Sequence, residues 1–125
     1  MVTPRGEKLS QPESAAAVQR AYEFSLWLLP KVERFPRGFR FSLGDRCVNT
    51  MLTIQEALLD AAYGAQRAEA LALAQRKLNT LRYLLRLAKD LQLLGVEPYG
   101  FAAERLEELG RMIGGWRKSA QGSRP

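Results

Sequence analysis

A chain of 125 residues, 46% apolar and 26% charged, is about one domain and can bury roughly two-thirds of its unfolded surface without disulfides or metals. Nineteen Lys and Arg against thirteen Asp and Glu give a net charge of +6, which points to an anionic partner, either nucleic acid or a membrane surface. The absence of His removes the commonest general base and the Glu-x-x-His ligands of di-iron bundles, and Cys47, the single cysteine, rules out an intramolecular disulfide and a zinc tetrad.

Residues 1–12 are polar, with Pro4, Gly6 and Pro12, and read as a flexible arm ahead of a domain over residues 13–118. The start MVTPRGEKLSQPESAAA has no apolar signal core, and no run reaches the roughly 20 apolar residues that span a bilayer, so a cytoplasmic protein is expected. A first helix opens on Pro12, Glu13 and Ser14. Its apolar positions, from Ala17 through Phe24 and Leu26 to Leu29, nearly surround the axis at Trp27, which implies deep burial or a subunit contact. Pro30 should kink or end it, with residues 31–35 able to add one further turn.

The connection over residues 29–46, LPKVERFPRGFRFSLGDR, holds more than a turn requires. Pro30 and Pro36 stiffen the crossing and Gly38 permits the turn. Phe35, Phe39 and Phe41 join Leu43 in plugging the end of the fold; left exposed, they would offer stacking faces to unpaired bases. Asp45 falls in the first turn of the next helix, where a carboxylate is favourable. A second helix over 42–63 puts Val48, Met51, Leu52, Leu58, Leu59 and Ala62 on one face, with Gly64 expected to close it in a left-handed conformation. Cys47 reads as a core residue.

The third segment, 66–94, has no internal Pro or Gly. Leu73, Leu81, Leu84, Leu87, Ala88, Leu91 and Leu94 are read as its apolar stripe, with Arg82, Arg86 and Lys89 on the opposite side and no acid between Ala70 and Lys89. Like charges at that spacing cost a few tenths of a kcal/mol per pair, so something should offset them. Gly95 is taken to close this helix. Glu97 and Pro98 start a fourth, carrying Phe101, Leu106, Leu109, Met112, Ile113 and Trp116, while Gly110, Gly114 and Gly115 weaken it and imply a close helix contact. Residues 119–125 read as a disordered tail. Four such helices with short connections describe an all-α, up-down-up-down antiparallel four-helix bundle.

No arrangement of nucleophile and base can be drawn from the spacing, and no phosphate-cradling Gly-rich loop is present. Glu107 and Glu108 point to different sides of a helix, and Glu104 with Glu108 sits among Arg105 and Arg111 as a solvated face. A non-enzymatic protein without cofactor or metal is expected. The basic residues form three groups: Arg34, Arg37 and Arg40, flanked by Lys31 and Arg46, at the crossing; Arg76, Lys77, Arg82, Arg86 and Lys89 on the third helix; and Arg111, Arg117 and Lys118 at the end of the fourth. These are the candidate nucleic-acid contacts. A membrane-surface role would need an amphipathic face left over, and here the apolar faces are used by the bundle.

The stretches YEFSLWLLPKVERFPRGFRFSLGDR, from Tyr22 to Arg46, and LGRMIGGWRKS, from Leu109 to Ser119, carry a family resemblance. Across residues 14–119 the chain resembles the accessory variability determinant proteins of diversity-generating retroelements. These belong to a wider group of four-helix bundles that includes proteins encoded in intervening sequences of bacterial 23S ribosomal RNA genes. The resemblance implies a barrel-shaped homopentamer with a basic surface that binds RNA or DNA and associates with the retroelement's reverse transcriptase. It implies support of mutagenic retrohoming, in which error-containing cDNA copied from a template RNA replaces a variable repeat. The alternative is a structural bundle of the intervening-sequence type with no reverse transcriptase partner. A neighbouring reverse transcriptase gene and an imperfect template repeat would separate the two.

Overall fold

The computed structural model describes residues 12–122, with side chains for 14–120. Helix α1 is Pro12–Glu33; a single turn at Arg37–Phe39 and a π-helical stretch at Arg40–Gly44 lead without a break into α2, Asp45–Tyr63. Helix α3 is Arg67–Asp90 and α4 is Val96–Gly122. No strand occurs among the described residues. Each helix packs on its chain neighbours, and α4 packs back on α1, so the four close into a ring. Across both seams of α4 one residue number falls as the other rises: Trp27 meets Phe101 and Arg20 meets Glu108 between α1 and α4, while Arg82 meets Leu106 and Gln75 meets Arg117 between α3 and α4. The expected antiparallel bundle is therefore present.

The core follows three- and four-residue spacing on every helix: Ala17, Ala21, Phe24, Leu28 and Val32; Cys47, Met51, Ile54, Leu58 and Ala61; Leu71, Ala74, Leu78, Leu81, Leu85 and Ala88; and Ala102, Leu106, Leu109, Ile113 and Trp116. Cys47 is fully buried, and burial pushes its thiol up to about 11. On α3 the buried stripe is only partly the expected one: Leu81 and Ala88 are buried, as is Leu94 just beyond the helix. Leu87 and Leu91 are exposed at 47% and 43%, Leu73 and Leu84 are half-buried, and Leu71, Leu78 and Leu85 take the core positions. The helix is leucine-rich on more than half its circumference, so only the positions of α2 and α4 decide which leucines are covered.

Pro30 lies inside α1 and does not end it, although it has no N–H to give the Leu26 carbonyl. The chain continues because Val32 and Phe35, 2% and 4% exposed, hold the last turns against the core, with Phe35 N–H bonded to the Val32 carbonyl at 3.0 Å. Gly38, expected to permit the turn, has open space where a Cβ would sit; Gly44 is the constrained position, since a Cβ there would come within 2.8 Å of Val32 Cγ1. Phe35 and Leu43 plug the end of the bundle, but Phe39 and Phe41 stay exposed at 39% and 60%. Asp45 is the first residue of α2, as expected.

Two helix ends differ from the sequence reading. Gly64 is extended (φ −100°, ψ −178°), not left-handed; a side chain there would crowd the Asp60 carbonyl, with Cβ at 2.7 Å. Arg67 closes this turn by donating to the Ala61 carbonyl at 2.8 Å. Helix α3 stops at Asp90, not at Gly95, because Gln92 takes the left-handed conformation at φ 65°. Leu93 N–H then bonds the Ala88 carbonyl and Gln92 N–H the Lys89 carbonyl, at 2.8 and 2.9 Å, the bonding pattern of a Schellman cap. Gly95 instead stands immediately before α4, its carbonyl accepting the Tyr99 N–H. Helix α4 runs to Gly122, four residues past the expected end of the domain. The expected arm up to residue 11 and the last three residues of the expected tail lie outside the described residues.

Candidate nucleic-acid interface

The groove between α3 and α4 brings together two of the three predicted basic groups. Arg76 and Arg82 from α3 and Arg111 and Arg117 from α4 line one open cavity of about 620 Å³, with Gln75 and Asn79 beside them and Gly110 in its floor. Gly110 explains the glycine-rich helix in part. A Cβ there would lie 2.9 Å from Arg82 Nη2 and 3.1 Å from Leu78 Cδ2, so its absence lets the Arg82 guanidinium lie across α4 and donate to the Leu106 carbonyl at 3.2 Å. The approach expected from another backbone is made by a side chain. A Cβ on Gly114 would lie 3.8 Å from Gln75 Nε2, an ordinary contact, and one on Gly115 would meet open space, so nothing in the structure explains Gly115.

The four arginines are not equally committed. Arg117 donates to Gln75 Oε1, and Arg111 pairs with Glu107 at 3.4 Å with both side chains more than two-thirds exposed, a pair worth little in water. Arg82 uses one N–H on Leu106, and the Arg76 guanidinium has no hydrogen bond or ion pair among the described residues, the Arg76 carbonyl alone accepting from the Thr80 hydroxyl. A guanidinium held by one edge keeps its other donors for a bidentate contact to phosphate.

The remaining predicted residues lie elsewhere. Lys77 is half-buried on α3 and Lys118 exposed on α4, neither of them lining the groove. Arg86 and Lys89 reach Asp90 at 3.9 and 3.5 Å, and Lys89 also sits over the Tyr99 ring at 5.0 Å. Arg34, Arg37 and Arg40 occupy the crossing beside the seam of α1 and α2, on the opposite side of the ring from the α3/α4 groove. There Arg40 pairs with Glu33 at 3.7 Å and covers the Phe41 ring at 4.8 Å, and Arg34 and Arg40 border a separate cavity of about 760 Å³ floored by Leu29, Pro30 and Val48. Among the described residues Arg34 and Arg40 thus stand apart from the groove arginines, and the three predicted basic groups do not form one continuous surface. Among the described residues no three His, Cys, Asp or Glu are grouped to hold a metal, and no helix is long and apolar enough to cross a membrane.

The family model described as bAvd-like matches residues 16–120, which takes in all four helices, the crossing and the arginine groove. The chain belongs to the bAvd-like family. This agrees with the resemblance carried by the crossing and by the end of α4, and it supports an Avd-type accessory role in general. No curated protein matches this bAvd-like chain. Sequence reasoning named the four groove arginines but not Gln75 or the Leu106 carbonyl, which orient Arg117 and Arg82, nor Asn79 in the wall beside them. The one available signal was Gly110 in mid-helix, where local propensity is sacrificed for a contact.

Proposed function

We propose that the chain is a non-enzymatic accessory subunit of a diversity-generating retroelement, binding template RNA or cDNA in the α3/α4 groove and associating with the reverse transcriptase to support mutagenic retrohoming. The observation that carries this reading is the groove, where four arginines from two helices converge over a glycine floor. Family membership supports the accessory role. The absence of acid between Ala70 and Lys89 supports an anionic ligand as the group that offsets the α3 charge ridge. Arg34, Arg37 and Arg40, on the other side of the bundle beside exposed Phe39 and Phe41, are proposed as a second contact, for nucleic acid or the reverse transcriptase. The protein is proposed to act in the cytoplasm as a homopentamer.

Binding of the full chain to a structured RNA and to a matched DNA duplex across a salt series tests this. If each groove arginine neutralises one phosphate, log affinity for the duplex falls with log salt at a slope of about −3 to −4, and an Arg76→Gln/Arg82→Gln variant loses about 2 of that slope. No binding at low salt, or a double variant with the wild-type slope, overturns the groove as the site.

A further inference from the structure

Tyr83 stands apart from the other aromatic side chains. It is 73% exposed, the most exposed aromatic among the described residues, and no ring, cation or hydrogen-bond partner is placed on it. Phe41 is covered by Arg40, and Phe101 by Trp27 and Arg105, while Phe39 and Tyr63, also without a ring or cation on them, are less exposed at 39% and 43%. A large ring left uncovered on a solvent-facing helix loses apolar burial for no gain in stability.

Its neighbours along α3 give it a chemical context. Arg76, Asn79, Tyr83 and Arg86 share one face at intervals of three and four residues, all exposed, and Arg76 and Asn79 are also walls of the α3/α4 groove. From Arg76 to Arg86 is about 15 Å along the helix, the length of about four stacked nucleotides. Arg86 is engaged only by the long 3.9 Å contact to Asp90, with both side chains more than half exposed. The face is therefore positive at both ends, polar between, and carries one free π-surface.

We propose that this face of α3 takes an unpaired nucleic-acid strand, with one base stacked on Tyr83 and the flanking phosphates held by Arg76 and Arg86. The proposal rests on the nucleic-acid reading above and adds strand state to it: a duplex keeps its bases stacked inside and gives Tyr83 nothing to stack on, whereas a single strand presents π-faces of any sequence.

The test measures binding of a labelled uridine oligonucleotide of about 12 nucleotides and an RNA duplex of equal length, using the full chain, Tyr83→Leu, Tyr83→Phe and Arg76→Gln/Arg82→Gln. Circular dichroism and light scattering confirm that each variant keeps its helix and its mass. Tyr83→Leu should weaken oligonucleotide binding about five- to a hundredfold and leave duplex binding unchanged, with Tyr83→Phe close to wild type. If Tyr83→Leu binds both ligands like wild type while the arginine variant loses both, stacking is overturned and the groove reading stands. If the wild type binds neither ligand at low salt, both readings fall. A Tyr83→Leu variant whose assembled mass drops would place Tyr83 in a contact between copies of the chain, and would overturn the proposal.

Discussion

Trp116 is the largest fully buried side chain in the bundle, and its indole Nε1 has no hydrogen-bond partner among the described residues. A buried donor left unmade costs about 1–3 kcal/mol, which partly offsets what the ring contributes through packing. Trp116→Phe removes that donor along with part of the ring, and should change stability by no more than about 1 kcal/mol, whereas Trp116→Ala should cost about 3–5 kcal/mol. Urea denaturation of the two variants measures both, and a Phe variant as unstable as the Ala variant would refute this balance. Spacing alone showed Trp116 as a core position. The orphaned donor was not legible, because which polar groups reach a buried indole is decided by tertiary packing and not by spacing along one helix.

At the scale of elements, the end of α3 is the feature furthest from its expected form. A non-glycine residue in the left-handed region is disfavoured by about 1–2 kcal/mol, and Gln92 occupies it while both cap bonds form at good distance. Gln92→Gly should therefore raise stability by up to about 1 kcal/mol, part of the relieved strain being lost to the greater freedom of glycine in the unfolded chain. Thermal unfolding followed by circular dichroism reads this directly; a lower midpoint would mean that the Gln92 side chain makes a stabilising contact of its own. The sequence reading placed this helix end at Gly95 because glycine is the usual occupant of such a cap. The shift of the α3 stripe has a related cause. Periodicity shows that a helix is amphipathic, but where leucines cover half its surface two phases fit equally well, and packing selects one. Pro30 shows the reverse case, since a local helix breaker was overridden by the burial of Val32 and Phe35.

For the whole molecule, the unpartnered apolar surface matters most. Leu26 on α1 and Leu52 on α2 are 60% and 38% exposed, one helical step from Leu29 and Val48, which floor the cavity of that seam, while Ser25 and Gln55 bond across it at 2.6 Å. In a ring of five each contact joins two different faces, so Leu26 and Leu52 would be covered by another face of the next copy. The proposed pentamer would bury the apolar patch at Leu26 and Leu52 and leave the arginines of the crossing outside it. Light scattering of the wild type should give the mass of five chains, and Leu26→Glu/Leu52→Glu should reduce it to that of the monomer with helix content retained. A wild-type monomer, or a double variant with unchanged mass, would remove this seam as the subunit contact. On this arrangement assembly and the nucleic-acid groove use opposite sides of the ring, which leaves the groove open in the assembly.

Four helices, their approximate limits, the buried Cys47 and the basic character of α3 were determined by the sequence itself, because helix formation, amphipathic spacing and charge are local properties of the chain. Which arginines share a site was decided only by the tertiary structure. Arg76 and Arg117 are neighbours because α3 and α4 are rotated about their axes to bury Leu78, Leu85, Leu106 and Ile113, and that rotation is a property of the packed pair that neither helix carries alone. The same rotation placed Tyr83 in solvent and the Gly110 backbone beneath the Arg82 guanidinium.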